Sequence, residues 1–223
     1  MSSTALTEQT DPYCLTTVDA AALLYDAPWH RFGVVGDSLS AGMGDPTPGY
    51  ANSGWADRVA AVLKLVNPAL TYLNTAEPGA TTAATLDGQF DRMLEFEPDL
   101  LHLPCGPNDI LRQRPDFEAV ETLMRRMYAL AARTGARLMT FTLGKAYAVP
   151  NFSDWHERIV TMNDITRRIA RDHDAVVIDA WAHPINERPN LLSADRIHFS
   201  TSGQAVLAAE VVKRLAHLLA NQH

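Results

Sequence analysis

Four short segments of this chain carry residue types that nucleophilic catalysis uses. Gly36-Asp37-Ser38-Leu39-Ser40 offers a hydroxyl, and Asp195-Arg196-Ile197-His198 offers a carboxylate and an imidazole. Gly79, five positions after Asn74, and the run Gly106-Pro107-Asn108-Asp109 offer hydrogen-bond donors. A serine hydroxyl is a weak nucleophile and needs a base beside it. An imidazole can take the proton and later return it to a leaving group. A carboxylate on the other ring nitrogen would fix the tautomer and stabilise the imidazolium. Two residues separate Asp195 from His198, so one loop can hold both, and the fold has only Ser38 and that loop to bring together. Each residue also has a plainer reading: Ser38 as a helix cap or turn, His198 as a surface histidine before a helix, Asn108 as an Asx-turn residue. Asp37 and Asp109 read as loop organisers.

The elements that would position these segments follow from hydrophobic periodicity. Short apolar runs at Phe32–Val35, Leu70–Leu73, Leu100–Leu103, Leu138–Leu143 and Ala175–Ile178 read as buried strands. Between them, apolar residues recur at helical spacing. Trp55, Val59, Val62, Leu63 and Val66 form one set, with Ser53 as a candidate cap. Thr82, Leu86, Phe90 and Met93 form a second, closed by Pro98, and Phe117 to Leu130 a third, capped by Asp116. Ile159, Met162, Ile165 and Ile169 mark a fourth, and Val206 to Leu218 a last helix capped by Thr201 or Ser202. Strands alternating with helices predict βαβ units and a parallel sheet covered on both faces. The predicted fold class is α/β: a three-layer α/β/α sandwich with a five-stranded, mostly parallel sheet. In such sheets ligands gather at the carboxyl ends of the strands, which is where the four segments fall. The irregular stretches 36–53 and 180–200 are long enough to be functional.

In order and spacing, the four segments resemble the four blocks of the SGNH (GDSL) hydrolase family. Gly36-Asp37-Ser38 is similar to the first block, Gly79 to the second, Gly106-Pro107-Asn108-Asp109 to the third, and Asp195 to His198 to the last. The resemblance spans roughly residues 31–219. It implies a flavodoxin-like SGNH fold and a serine hydrolase that cleaves ester bonds through an acyl-Ser38 intermediate, with Asp195 and His198 as the base pair. It implies an oxyanion hole built from the Ser38 and Gly79 backbone N–H groups and the Asn108 side-chain amide. Pro107 departs from the small or flexible residue common at that position; it fixes φ and removes a donor, but leaves the Asn108 side chain free for its role. The α/β-hydrolase elbow Gly-x-Ser-x-Gly is absent.

Bulk properties bound the alternatives. A length of 223 residues suits one domain at 31–223, preceded by an extension over 1–30 whose first 13 residues are polar and expected to be loose. A short helix is expected from Thr17, carried by Val18, Ala21, Ala22 and Leu24 and ended by Pro28. The formal charge of −7 argues against nucleic acid or an anionic membrane as partner and leaves a small-molecule ester or acyl substrate. No run is long enough to span a membrane, and the start lacks a basic region followed by an apolar stretch, so a cytoplasmic protein is expected. Cys14 and Cys105 are expected as reduced thiols. Histidine spacing suggests neither a metal nor a cofactor. The oligomeric state is not fixed by the pattern. Arg112 and Arg114 could face the pocket mouth or open solvent. Trp55, Tyr147, Phe152, Trp155, Trp181, Ile197 and Phe199 are candidate pocket walls. The same active site would also serve an acyltransferase, and the fold alone would serve a non-catalytic binding protein.

Overall fold

The computed structural model describes residues 6–147, 149 and 152–221. Five strands, β1 (Arg31–Val34), β2 (Thr71–Asn74), β3 (Leu100–His102), β4 (Arg137–Phe141) and β5 (Val176–Ile178), form one sheet in the order β2-β1-β3-β4-β5. Every pairing is parallel, where a mostly parallel sheet was expected. Among the described residues seven α-helices connect and cover it: α1 (Thr17–Leu23), α2 (Trp55–Val66), α3 (Thr82–Gly88), α4 (Phe90–Phe96), α5 (Phe117–Ala132), α6 (Trp155–Asp172) and α7 (Thr201–Ala220). Helices α1, α2 and α7 pack together on one face, and α3, α4, α5 and α6 on the other, giving the three-layer sandwich. The central strands β1, β3 and β4 are short apolar runs because both of their faces are covered. The chain leaves β1 towards β2 and then returns to β3 on the opposite side of β1. The direction of winding therefore reverses between β1 and β3. That reversal opens a crevice beyond their carboxyl ends, where the loops after β1 and β3 diverge.

Several local expectations give way to tertiary context. The second helical set is not one helix but two, α3 and α4, broken at a buried Gln89. Helix α1 turns Val18, 78% exposed, and Ala22 outward; Leu24 at its C-cap is buried as expected, together with Ala20. Helix α2 starts at Gly54 without a side-chain cap, and the cap of α7 is Ser200, whose Oγ accepts from the Gly203 N–H. The first five residues lie outside the described range. Residues 6–13 are tied down rather than loose: the Glu8 N–H donates to Gly49, and Asp11 is buried. Cys14 and Cys105 are both free. Among the described residues no helix is long and apolar enough to cross a membrane.

Candidate active site

The loop after β1 is shaped before Ser38 is reached. Gly36 adopts φ 141, and a Cβ there would fall 2.3 Å from Ser40 Oγ, so this position accepts only glycine. The Gln89 side chain brackets it: Oε1 accepts from the Gly36 N–H at 2.8 Å, and Nε2 donates to the Gly36 carbonyl at 2.8 Å. Asp37 is buried and its Oδ1 accepts from the Leu39 N–H at 2.8 Å. Burial pushes its carboxyl up to about 6, against the pull of the Leu39 and Ser40 amides. Trp55 Nε1 donates to the Leu39 carbonyl at 3.0 Å, and Asn74 Nδ2 to the Ser40 carbonyl at 3.1 Å. Beneath the loop, Ser40 Oγ lies 3.2 Å from Nε2 of His102. Burial lowers the His102 pKa to about 3, so this ring stays neutral in the core. Ser38 thus sits on a loop fixed from α2, β2, β3 and the α3–α4 junction.

Asp195 and His198 come from the loop before α7. Their side chains are joined by a 2.6 Å contact between Asp195 Oδ2 and His198 Nδ1. His198 Nε2 lies 2.8 Å from Ser38 Oγ. Asp195 Oδ1 accepts from the Ile197 and His198 backbone N–H groups at 2.9 and 3.0 Å. Burial raises the Asp195 carboxyl, but the imidazole and those two amides outweigh it and hold it below the ordinary carboxylate value. The turn requires Arg196 at φ 61, a left-handed conformation that costs an ordinary residue roughly 1–2 kcal/mol. Two hydrogen bonds hold it there: Arg196 N–H to the Ser193 carbonyl, and Ser193 N–H to the His198 carbonyl. Asp45, in the loop after β1, docks this segment by accepting from the Ala194 N–H at 2.8 Å and donating its own N–H to Ser193 Oγ at 2.7 Å.

The loops after β2 and β3 meet the same crevice. Asn108 Nδ2 donates to the Ala80 carbonyl at 3.0 Å, and the Glu77 N–H donates to the Gly36 carbonyl at 3.0 Å. The Gly79 segment is therefore tied to both the Ser38 loop and the Asn108 loop. Asp109 locks the junction by accepting from the Thr82 N–H and hydroxyl, each at 2.9 Å. Gly79 has φ 80, and a Cβ there would meet nothing within 4 Å. Backbone conformation, not crowding, is what selects glycine at that position. Among the described residues, neither the Ser38 N–H nor the Gly79 N–H donates to another protein group.

Ser38 and Asn108 share an apolar pocket with Tyr147, Trp155 and Ile197, three of the expected wall residues. Trp55 and Phe199 line a separate cavity beneath Ser40, while Phe152 and Trp181 line neither. Arg112 and Arg114 are exposed and outside the pocket. Sequence reasoning passed over Gln89, Asp45 and Arg158. Arg158 is buried and donates to the Ile110 carbonyl at 2.9 Å and the Gln113 carbonyl at 3.2 Å, fixing the chain beyond Asn108. Among the described residues, no cluster of three or more His, Cys, Asp or Glu side chains is arranged to hold a metal ion.

Residues 34–206 match the family described as GDSL-like Lipase/Acylhydrolase. Among solved structures, the chain is similar to LAE5, an alpha/beta hydrolase enzyme from the metagenome of Lake Arreo, Spain, at 20% identity and TM-score 0.69, covering 86% of this chain and 97% of that one. It is similar to TesA at 22% identity and TM-score 0.67, covering 84% and 99%. It is also similar to Axe2, an acetylxylan esterase from Geobacillus stearothermophilus, at 19% identity and TM-score 0.68, covering 83% and 94%. No curated protein sequence matches the chain.

Proposed function

The chain belongs to the GDSL-like lipase/acylhydrolase family, a hydrolase acting on esters, and on that premise we propose that Ser38 is its nucleophile, with His198 as base and Asp195 as the base's partner. One observation carries this reading: an unbroken line of two short hydrogen bonds, 2.8 Å from Ser38 Oγ to His198 Nε2 and 2.6 Å from His198 Nδ1 to Asp195 Oδ2. An ionised Asp195 can only accept, so Nδ1 carries the proton and Nε2 is left as the acceptor for the Ser38 hydroxyl. As Oγ attacks the ester carbonyl, its proton passes to Nε2, and Asp195 stabilises the imidazolium that forms. His198 then gives that proton to the departing alcohol oxygen, leaving an acyl-Ser38. Water repeats the sequence in reverse and frees the acid.

The oxyanion forms beside three donors: the Ser38 N–H, the Gly79 N–H and the second N–H of the Asn108 amide, whose first goes to Ala80. The site is open to the second reactant that hydrolysis needs. The His198 side chain is 20% exposed and that of Asp195 47%, so water reaches the acyl-enzyme. The formal charge of −7 fits a small-molecule ester rather than a nucleic acid.

A fluorophosphonate probe tests the assignment. The native protein should be labelled on Ser38 and should turn over p-nitrophenyl acetate, and Ser38→Ala should lose both while unfolding at the native midpoint. A well-folded native protein that escapes labelling would instead be a binding protein on this fold.

A further inference from the structure

We propose that Leu143 is the residue that sets the length of the acyl group, and that the substrate class is esters of short, uncharged acids. The inference rests on the reading of Ser38 as nucleophile. The pocket that Ser38 shares with Asn108 is walled by Leu111, Leu143, Tyr147 and Trp155 and measures about 30 Å³. It is a small space, and the length of acyl chain it admits is set by where its inner wall of Leu39, Leu143 and Tyr147 stands. Among the described residues no charged side chain lines it, so an anionic acid would be desolvated there without a partner.

The pocket faces the acyl side of the ester. The departing alcohol must lie within reach of His198 Nε2 to take its proton. His198 does not line this pocket, whereas its neighbour Ile197 does.

Behind the pocket lies a second cavity of about 20 Å³, enclosed by Trp55, His102, Phe141, Phe199 and Leu207. Leu39, Leu143 and Tyr147 line both spaces and so form the partition between them. Leu39 follows the nucleophile directly, and Tyr147 packs on Phe199 with ring centroids 5.5 Å apart. Leu143 lies just beyond β4, and the Asn163 amide holds its backbone on both sides: Oδ1 accepts from the Leu143 N–H at 2.7 Å, and Nδ2 donates to its carbonyl at 2.9 Å. The main chain at 143 is therefore pinned, and the partition there is the isobutyl group alone. Trimming it joins two apolar spaces into one.

p-Nitrophenyl esters from acetate to decanoate, with the alcohol held constant, read this directly. In the native protein kcat/KM should fall at least about tenfold between butanoate and octanoate, the scale on which a pocket discriminates methylene groups. Leu143→Ala should raise the octanoate-to-acetate ratio by at least about tenfold, and the milder Leu143→Val should move it the same way. A flat native profile overturns the proposal without any variant. So does an unchanged ratio in a Leu143→Ala protein that the fluorophosphonate still labels at Ser38. A parallel series of alkyl acetates should show no such limit, and a limit found there instead overturns the acyl assignment. Absence of labelling and of all ester turnover in the native protein would overturn the Ser38 reading itself, and this inference with it.

Discussion

At the Asn108 side chain one amide group serves two partners. One N–H is spent on the Ala80 carbonyl, which locks the amide plane, and in the proposed mechanism the other is the oxyanion donor. Pro107 stiffens the approach by fixing φ immediately before it. A donor that is already oriented needs no reorganisation when the oxyanion forms, and its contribution is greatest in the transition state. Asn108→Ala should therefore lower kcat by about 100- to 1,000-fold with KM nearly unchanged. Steady-state kinetics on p-nitrophenyl acetate checks this. A raised KM with kcat preserved would make Asn108 a ground-state binding residue. The neighbouring carboxylates differ in kind. Asp37 and Asp109 face inward to loop amides, and burial raises both, so they organise loops rather than meet substrate. Asp195 is held low and faces the imidazole. Of the three, only Asp195 is disposed to stabilise a transient positive charge.

At the level of elements, the junction of α3 and α4 does what neither helix could do alone. The spacing of Thr82, Leu86, Phe90 and Met93 is that of one continuous helix, and nothing in it marks Gln89. In the folded chain Gln89 is 2% exposed and hydrogen-bonds both main-chain groups of Gly36. Gln89→Ala leaves a buried donor and a buried acceptor unpaired, each costing about 1–3 kcal/mol, so a loss of about 2–6 kcal/mol is expected in urea denaturation. A cost below about 1 kcal/mol would mean that water replaces the amide. The contrast shows what was legible. The proposed triad of Ser38, Asp195 and His198 can be read because its residues lie in contiguous motifs, and the strands because buried parallel strands are plain apolar runs. Gln89 acts on a residue 53 positions away, and no local pattern carries that information. The caps were misread by a residue or two for a related reason. Ser53 and Thr201 have capping side chains, but backbone geometry gives the positions to Gly54 and Ser200. Val18 belongs to the apolar pattern of α1 yet faces outward, because the face that α1 buries is chosen by α2 and α7.

Across the whole molecule, the segment that precedes the family match acts as a strap over the loops that carry the site. Asp11 is fully buried at its side chain and accepts from Arg188 Nη2 at 2.6 Å and from the Tyr50 hydroxyl at 2.8 Å. Tyr50 belongs to the loop after β1, and Arg188 to the segment that runs on to Asp195 and His198. A segment expected to be polar and loose is thus joined to both loops of the proposed site, by an ion pair to Arg188 and a hydrogen bond from Tyr50. Burial raises the Asp11 carboxyl, but the Tyr13 N–H, the Arg188 guanidinium and the Tyr50 hydroxyl together hold it below its ordinary 3.8. Removing the charge leaves a buried guanidinium without its counter-ion, so Asp11→Asn should cost about 3 kcal/mol at neutral pH. The sign of the pH dependence follows from the lowered value. The stabilisation is complete above about 3.8, the unfolded value, and is lost as the pH falls through the folded value below it. Denaturant unfolding of native and Asp11→Asn proteins at pH 7 and at steps below pH 4 should show a gap that narrows in acid. A gap that persists undiminished at the lowest pH would assign the stabilisation to the shape of the strap instead of its charge.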